Sequence, residues 1–154
     1  MKRLLSIIGA ISLVGTSTLG VVSCKNPYDE SKCERNNKGN WHQLCIIDFP
    51  FKDIDNNYYI TIWRTSNNDD WKISMFKYET KNIIIDQKDN FNLEINSDIS
   101  NTPQLLINQI RNNKKYLIKE WLNDFNNIFF KSLYVWKENS IPNIPNIDKD
   151  GNIV

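Results

Sequence analysis

Residues 4–22 carry no charge at all. Lys2 and Arg3 stand just before them, and the apolar run of residues 4–14 is then diluted by Gly15, Thr16, Ser17, Thr18 and Gly20. A short positive segment followed by an uncharged apolar one is the pattern of a secretory signal. It constrains the fold more than any other feature, because it withdraws the most apolar part of the chain from any core. The stretch is long enough to span a membrane, which takes about 20 mostly apolar residues. Its Gly-, Ser- and Thr-rich second half argues instead for a processed signal. The ending Val21-Val22-Ser23-Cys24 sharpens that reading. Small or branched residues before the cysteine let an extended chain enter a peptidase cleft, and the Cys24 thiol can then carry a diacylglyceryl thioether.

On these residues the segment resembles the lipobox signals of bacterial lipoproteins, in particular the surface lipoproteins of mollicutes of the Spiroplasma type. Those signals often begin Met-Lys-(Lys/Arg)-Leu-Leu-Ser-Ile and end Val-(Val/Ala)-Ser-Cys. The likeness is strong over residues 1–24 and weak over the Asn-, Ile- and Lys-rich remainder. Val21, three before the cysteine, stands where Leu is commonest. The resemblance implies a protein held on the outer face of the cell membrane by lipid on Cys24, palmitate among the acyl chains. Two acyl chains are what stable lipid anchoring generally requires.

Removing residues 1–23 from the 154 leaves 131, enough for one domain with a modest core. Lys2 and Arg3 leave with the signal, so Lys+Arg falls from 19 to 17 against 18 acids, a net charge of about −1. That balance gives no electrostatic case for a nucleic-acid partner. Five Trp, six Tyr and seven Phe argue against wholesale disorder. The abundance of Asn, Ile and Lys is what an AT-rich genome encodes, which weakens Asn as a turn signal here.

Residues 24–45 are polar and broken by Pro27 and Gly39, and read as a lipidated tether and loop ahead of the domain. Cys33 and Cys45 are a candidate disulfide of an exported protein, with two free thiols as the alternative. Closing a loop of that size contributes about 3 kcal/mol by loop-closure entropy.

The domain proper is expected over residues 46–137. Residues 46–50 are a short strand candidate. Residues 58–65 and 71–78 alternate about the turn cluster at 66–70, and read as an antiparallel hairpin. A further strand begins at 83–85, and residues 91–96 alternate without a fault. Thr102 and Pro103 then suit a helix start. Beyond them Leu106, Ile107, Ile110, Leu117, Ile118, Trp121, Leu122, Phe125, Ile128, Phe129, Leu133 and Trp136 fall at helical spacing. Lys114 interrupts that stripe and hints at a break near Asn112–Asn113. The expected class is therefore α+β: a small antiparallel meander of about four strands, then one long or two shorter C-terminal amphipathic helices. Residues 138–154 are expected as an extended Pro-containing tail, mobile or laid along the domain by Ile141, Ile144 and Ile147.

Chemistry is sparse. His42 is the lone histidine, and with Cys45 forms a Cys–His pair of generic spacing. Cys33, His42 and Cys45 lack the paired spacing of structural zinc. Asp53-x-Asp55-Asn56 and Asp148-x-Asp150-Gly151-Asn152 look faintly like calcium loops but miss the required ligand order. Glu120 and Asp124 sit one helical turn apart on the expected helix, a solvated pair or an acid/base pair. Gly39 and Gly151 are the only glycines after residue 24, which weighs against a phosphate loop and a nucleotide cofactor. No cofactor or metal is expected. Phe130, Tyr134 and Trp136 make one end of the expected helix apolar nearly all round, either wedged into the core or forming a partner patch.

The expected function is a non-enzymatic interaction or adhesion module on the cell surface, meeting the membrane through its lipid and host or surface protein through its outer face. The alternatives are a lipid-anchored hydrolase, such as a nuclease using Asp53, Asp55, Asp69 or Asp70, and an accessory binding subunit of a transporter.

Overall fold

The computed structural model describes residues 33–97 and 102–154. They form eight strands: β1 (Trp41–Leu44), β2 (Tyr58–Trp63), β3 (Lys72–Lys77), β4 (Ile83–Lys88), β5 (Phe91–Asn96), β6 (Gln104–Arg111), β7 (Lys114–Glu120) and β8 (Phe130–Trp136). Two four-stranded antiparallel sheets result, ordered β1-β8-β2-β3 and β4-β5-β6-β7. The second is a plain meander. The first is closed by the last strand, which enters between β1 and β2.

The expected α+β class is therefore corrected to all-β. The only helical pieces among the described residues are two 3₁₀ turns, Ile46–Asp48 and Trp121–Asn123. Residues 103–137 hold three strands and no helix. Leu105 and Ile107 enter the core while Leu106 is buried on the other face. Apolar residues on both faces of a strand satisfy a helical period as readily as a period of two, so spacing alone could not separate them. Asn112 and Asn113 break no helix. They are the two-residue turn between β6 and β7, with φ 49° and 60°. Both central residues in the left-handed region define the turn whose twist suits a hairpin, and Asn tolerates that region well. Residues 46–50 likewise form a 3₁₀ turn ended by Phe49 at φ 43°, not a strand.

The hairpin read at 58–78 is present as β2–β3, in the register Tyr58↔Lys77 to Trp63↔Lys72. It does not continue into one meander, because β4 and β5 belong to the other sheet. Tyr59, Trp63 and Phe76 from the first sheet face Leu93, Ile95, Leu105 and Ile107 from the second, and Phe130, Leu133 and Val135 of β8 complete this core. Phe51 and Tyr78 close one end, with the Tyr78 hydroxyl donating to the Phe51 carbonyl at 2.9 Å. The open sides of β3 and β4 are clasped by polar groups. Trp63 Nε1–H donates to Ser74 Oγ at 2.8 Å, Ser74 donates to Asp86, and Lys72 Nζ reaches Asp86 at 2.7 Å. Burial works to raise the Asp86 carboxyl, but the Lys72 and Ser74 hydrogen bonds outweigh it and hold the group below the usual carboxylate range.

The outer face of the first sheet is apolar too. Trp41, Ile60, Ile62 and Tyr134 are buried there beneath the C-terminal segment, which supplies Ile147 and Ile153. That segment folds back on itself through an Ile147↔Ile153 bridge. At its turn Gly151 has φ +77°, and a Cβ there would lie 2.8 Å from Cγ of Trp71. Of the anchors expected for the tail, Ile147 packs, whereas Ile141 and Ile144 are exposed. β1 is part of the first sheet, and this strap packs on it.

Candidate functional site

A polar groove of about 250 Å³ opens where the strap passes the β1–β8 edge of that outer face. Its floor is β8. Along β8 the pairing with β2 runs Ile62↔Ser132 and then Trp63↔Phe130, so Lys131 is an extra residue opposite no β2 partner. Such a bulge turns the side chains on either side of it relative to the regular alternation. Phe130 therefore stays in the inter-sheet core, while Lys131 and Ser132 both line the groove beside Tyr134. Burial pushes the Tyr134 phenol up, with the Ser132 hydroxyl working weakly the other way. Tyr134 is thus a neutral hydroxyl at physiological pH.

One wall is the loop 33–40, and it is held firmly. Cys33 and Cys45 are joined in a disulfide with Cα atoms 6.0 Å apart. Arg35 grips Asp48 through two contacts, Nη1–Oδ2 at 2.8 Å and Nη2–Oδ1 at 2.9 Å, and the Cys45 N–H donates to the same carboxylate at 2.7 Å. Burial opposes ionisation of Asp48, but these donors prevail and keep it below the usual range. The Asn36 N–H donates to Gln43 Oε1 at 2.9 Å, and the Gln43 N–H to Asn37 Oδ1 at 3.0 Å. Gly39 at φ +58° then turns the chain into β1 and leaves Lys38 at the mouth.

The other wall is the strap. Asp148 Oδ1 accepts the Asp150 and Asn152 N–H groups at 2.9 and 2.8 Å, and the Asn152 amide donates to Asp148 Oδ2 at 3.1 Å. The Asn152 backbone and side-chain donors hold Asp148 below the usual carboxylate range. This is an Asp-led turn, and its carboxylate is occupied by the chain's own N–H groups.

The other residues singled out in the sequence are dispersed. Cys24 lies outside the described residues. Cys45 is bonded to Cys33, so its sulfur is no thiolate for His42, which sits on β1 opposite Val135. The patch expected at Phe130, Tyr134 and Trp136 is not formed. Phe130 is in the inter-sheet core, Tyr134 is under the strap, and half-buried Trp136 packs on Trp41 with ring centroids 5.0 Å apart. Asp55 caps its own turn and accepts the Tyr59 hydroxyl at 2.6 Å; burial first, and that bond second, drive the Tyr59 phenol far above its ordinary value. Asp69 accepts the Thr65 hydroxyl and pairs with Lys88 at 3.6 Å. Glu120 ends β7, while Asp124 is buried in the following loop, so the two do not share a helix face. Among the described residues no cluster of three His, Cys, Asp or Glu side chains is placed to hold a metal, and no helix is long and apolar enough to cross a membrane.

Two features were missed from the sequence. One is the groove itself, assembled from residues near 36–43, 131–134 and 151–153. The other is a buried carboxylate on the outer face of the second sheet. Glu94 is 2% exposed and accepts Lys115 Nζ at 3.0 and 2.9 Å and Asn108 Nδ2 at 3.0 Å. The faultless alternation of β5 put Glu94 on the face opposite Leu93 and Ile95, but nothing in the sequence showed that this face is covered. A second, apolar cleft beside Phe51, Pro103 and Trp121 has only about 10 Å³ free, about one water.

Comparison of the chain with protein-family models, with curated proteins and with solved structures finds no match.

Proposed function

We propose that this protein is a surface lipoprotein of the mollicute type, anchored through Cys24, whose β-sandwich is a non-enzymatic binding module. The observation that carries the reading is the uncharged stretch of residues 4–22 ending in Val21-Val22-Ser23-Cys24. The disulfide nine residues beyond that cysteine supports it, because such bonds persist in exported proteins and are rare in reducing compartments. A non-enzymatic role is supported by what the acids do. Of the four carboxylates a metal-dependent nuclease would draw on, Asp55 and Asp69 are engaged with Tyr59 and with Thr65 and Lys88, while Asp53 and Asp70 are exposed, and among the described residues no three such side chains are gathered to hold a metal.

Anchoring has a direct test. On detergent phase separation of cells producing the full chain, the wild-type protein should enter the detergent-rich phase, and Cys24→Ala should move it to the aqueous phase. Two acyl chains dominate the partition, since each buried methylene contributes about 0.8 kcal/mol. A Cys24→Ala protein that stays in the detergent-rich phase would mean that the apolar stretch is retained as a span.

A further inference from the structure

We propose that the groove between the strap and the disulfide-pinned loop binds a small polyhydroxylated anion, a phosphorylated or carboxylated polyol of about monosaccharide size. The inference rests on the binding-module reading and names its ligand class.

Charge is the first argument. Lys38 and Lys131 both line the groove, and neither is ion-paired with a carboxylate among the described residues. Asp148 feels the Lys131 charge only as a minor influence beside its own hydrogen bonds, and its oxygens are already taken by Asn152 and Asp150. Among the described residues the two ammonium groups thus share one concavity with no carboxylate in direct contact with either. The bulge in β8 is the second argument. A regular strand would put Lys131 on the face opposite Ser132 and Tyr134, inside the core. The bulge places it with them, and bulges of this kind often re-aim a side chain at a site.

The remaining lining sets the rest of the ligand. Gln43 Oε1 is engaged by the Asn36 N–H, which leaves its Nε2 as a donor. Asn152 Nδ2 is engaged by Asp148, which leaves its Oδ1 as an acceptor. Tyr134 and Ser132 add hydroxyls that both donate and accept. A site offering cations together with donors and acceptors suits an anion that also carries hydroxyls. The size agrees. At about 250 Å³ the groove falls just below the roughly 300–1,000 Å³ of pockets for drug-sized ligands. The walls are pre-set by the disulfide, the Arg35–Asp48 pair and the Asp148 turn, so little ordering opposes binding.

The experiment is calorimetric titration of the full chain in a non-ionic detergent with glucose 6-phosphate, glucuronate and glucose. Sedimentation of the Cys24→Ala protein with phosphatidylglycerol or phosphatidylcholine vesicles runs in parallel. Glucose 6-phosphate or glucuronate should bind, and glucose should bind at least about tenfold more weakly, the size of one charge-assisted hydrogen bond. Lys38→Gln and Lys131→Gln should each weaken the anion by about tenfold while leaving the thermal midpoint unchanged. Capture by phosphatidylglycerol alone, lost in the same two variants, would identify a glycerophosphate headgroup as the source of the same chemistry. Binding that ignores both substitutions, equal binding of glucose, or no binding of any probe at millimolar concentration would overturn the assignment. None of those results bears on anchoring, and the titration, made on the full chain in detergent, does not depend on the outcome of the Cys24 test.

Discussion

Asp124→Ala should lower the unfolding free energy by about 3 kcal/mol, because it leaves one buried and two half-buried backbone donors without their acceptor. Asp124 is 3% exposed. Its carboxylate accepts three successive N–H groups, from Ile128 at 3.3 Å and from Phe129 and Phe130 at 2.7 Å each. Its own N–H donates to the Trp121 carbonyl at 3.2 Å, and its carbonyl accepts the Asn127 N–H at 3.0 Å. A single side chain therefore orders the whole connection from β7 to β8, including the left-handed Asn127 at φ 52°. Bonds to a charged acceptor contribute more than neutral ones, and a buried N–H left unmade costs its full desolvation. Asp124→Asn keeps one acceptor oxygen and should cost about half as much by the same reasoning. Urea unfolding of the three proteins gives the order; an alanine variant as stable as the wild type would show that this loop does not set the entry of β8.

The second large effect is an asymmetry in the Glu94–Lys115 pair. Glu94 is 2% exposed and Lys115 is 49% exposed. Removing the lysine strands a buried carboxylate with only side-chain amides as partners. Removing the carboxylate merely releases an ammonium group that already touches water. Lys115→Met should therefore cost about 3 kcal/mol, in the range for breaking a buried pair, and Glu94→Gln about 1 kcal/mol. Exposed pairs show no such inequality, because either partner is solvated when alone. Equal losses in urea unfolding at neutral pH would mean that Glu94 is not held in a dry setting.

Parts of this fold were legible. β5 alternates cleanly between turn residues, and β2, though buried on both faces, is a short run of aromatic and β-branched residues bounded by turn clusters, which marks it as a strand. β6 and β7 were not legible, because Leu105, Leu106 and Ile107 are buried on both faces and fit a helix equally well. The signal that could have decided it was Asn112–Asn113, discounted because Asn is common throughout this composition. Asn56, Asn112, Asn113 and Asn127 all adopt positive φ, so the residue marks turns here after all. β1 was hidden for another reason. Its four residues, Trp41–Leu44, are too few to show a period, and they are ordered by β8, nearly a hundred residues later. The groove was invisible because it depends on that same long-range pairing and on a one-residue bulge.

β8 thus links the core to the groove. It supplies Phe130, Leu133 and Val135 to the core, and Lys131, Ser132 and Tyr134 to the groove. Amide hydrogen exchange of the full chain tests its place most directly. Flanked by β1 and β2, the amides of residues 132–135 should exchange only through global unfolding, as slowly as any in the domain. Exchange in β8 as fast as in the exposed loop 34–40 would contradict an interior strand, and with it the groove built on that strand.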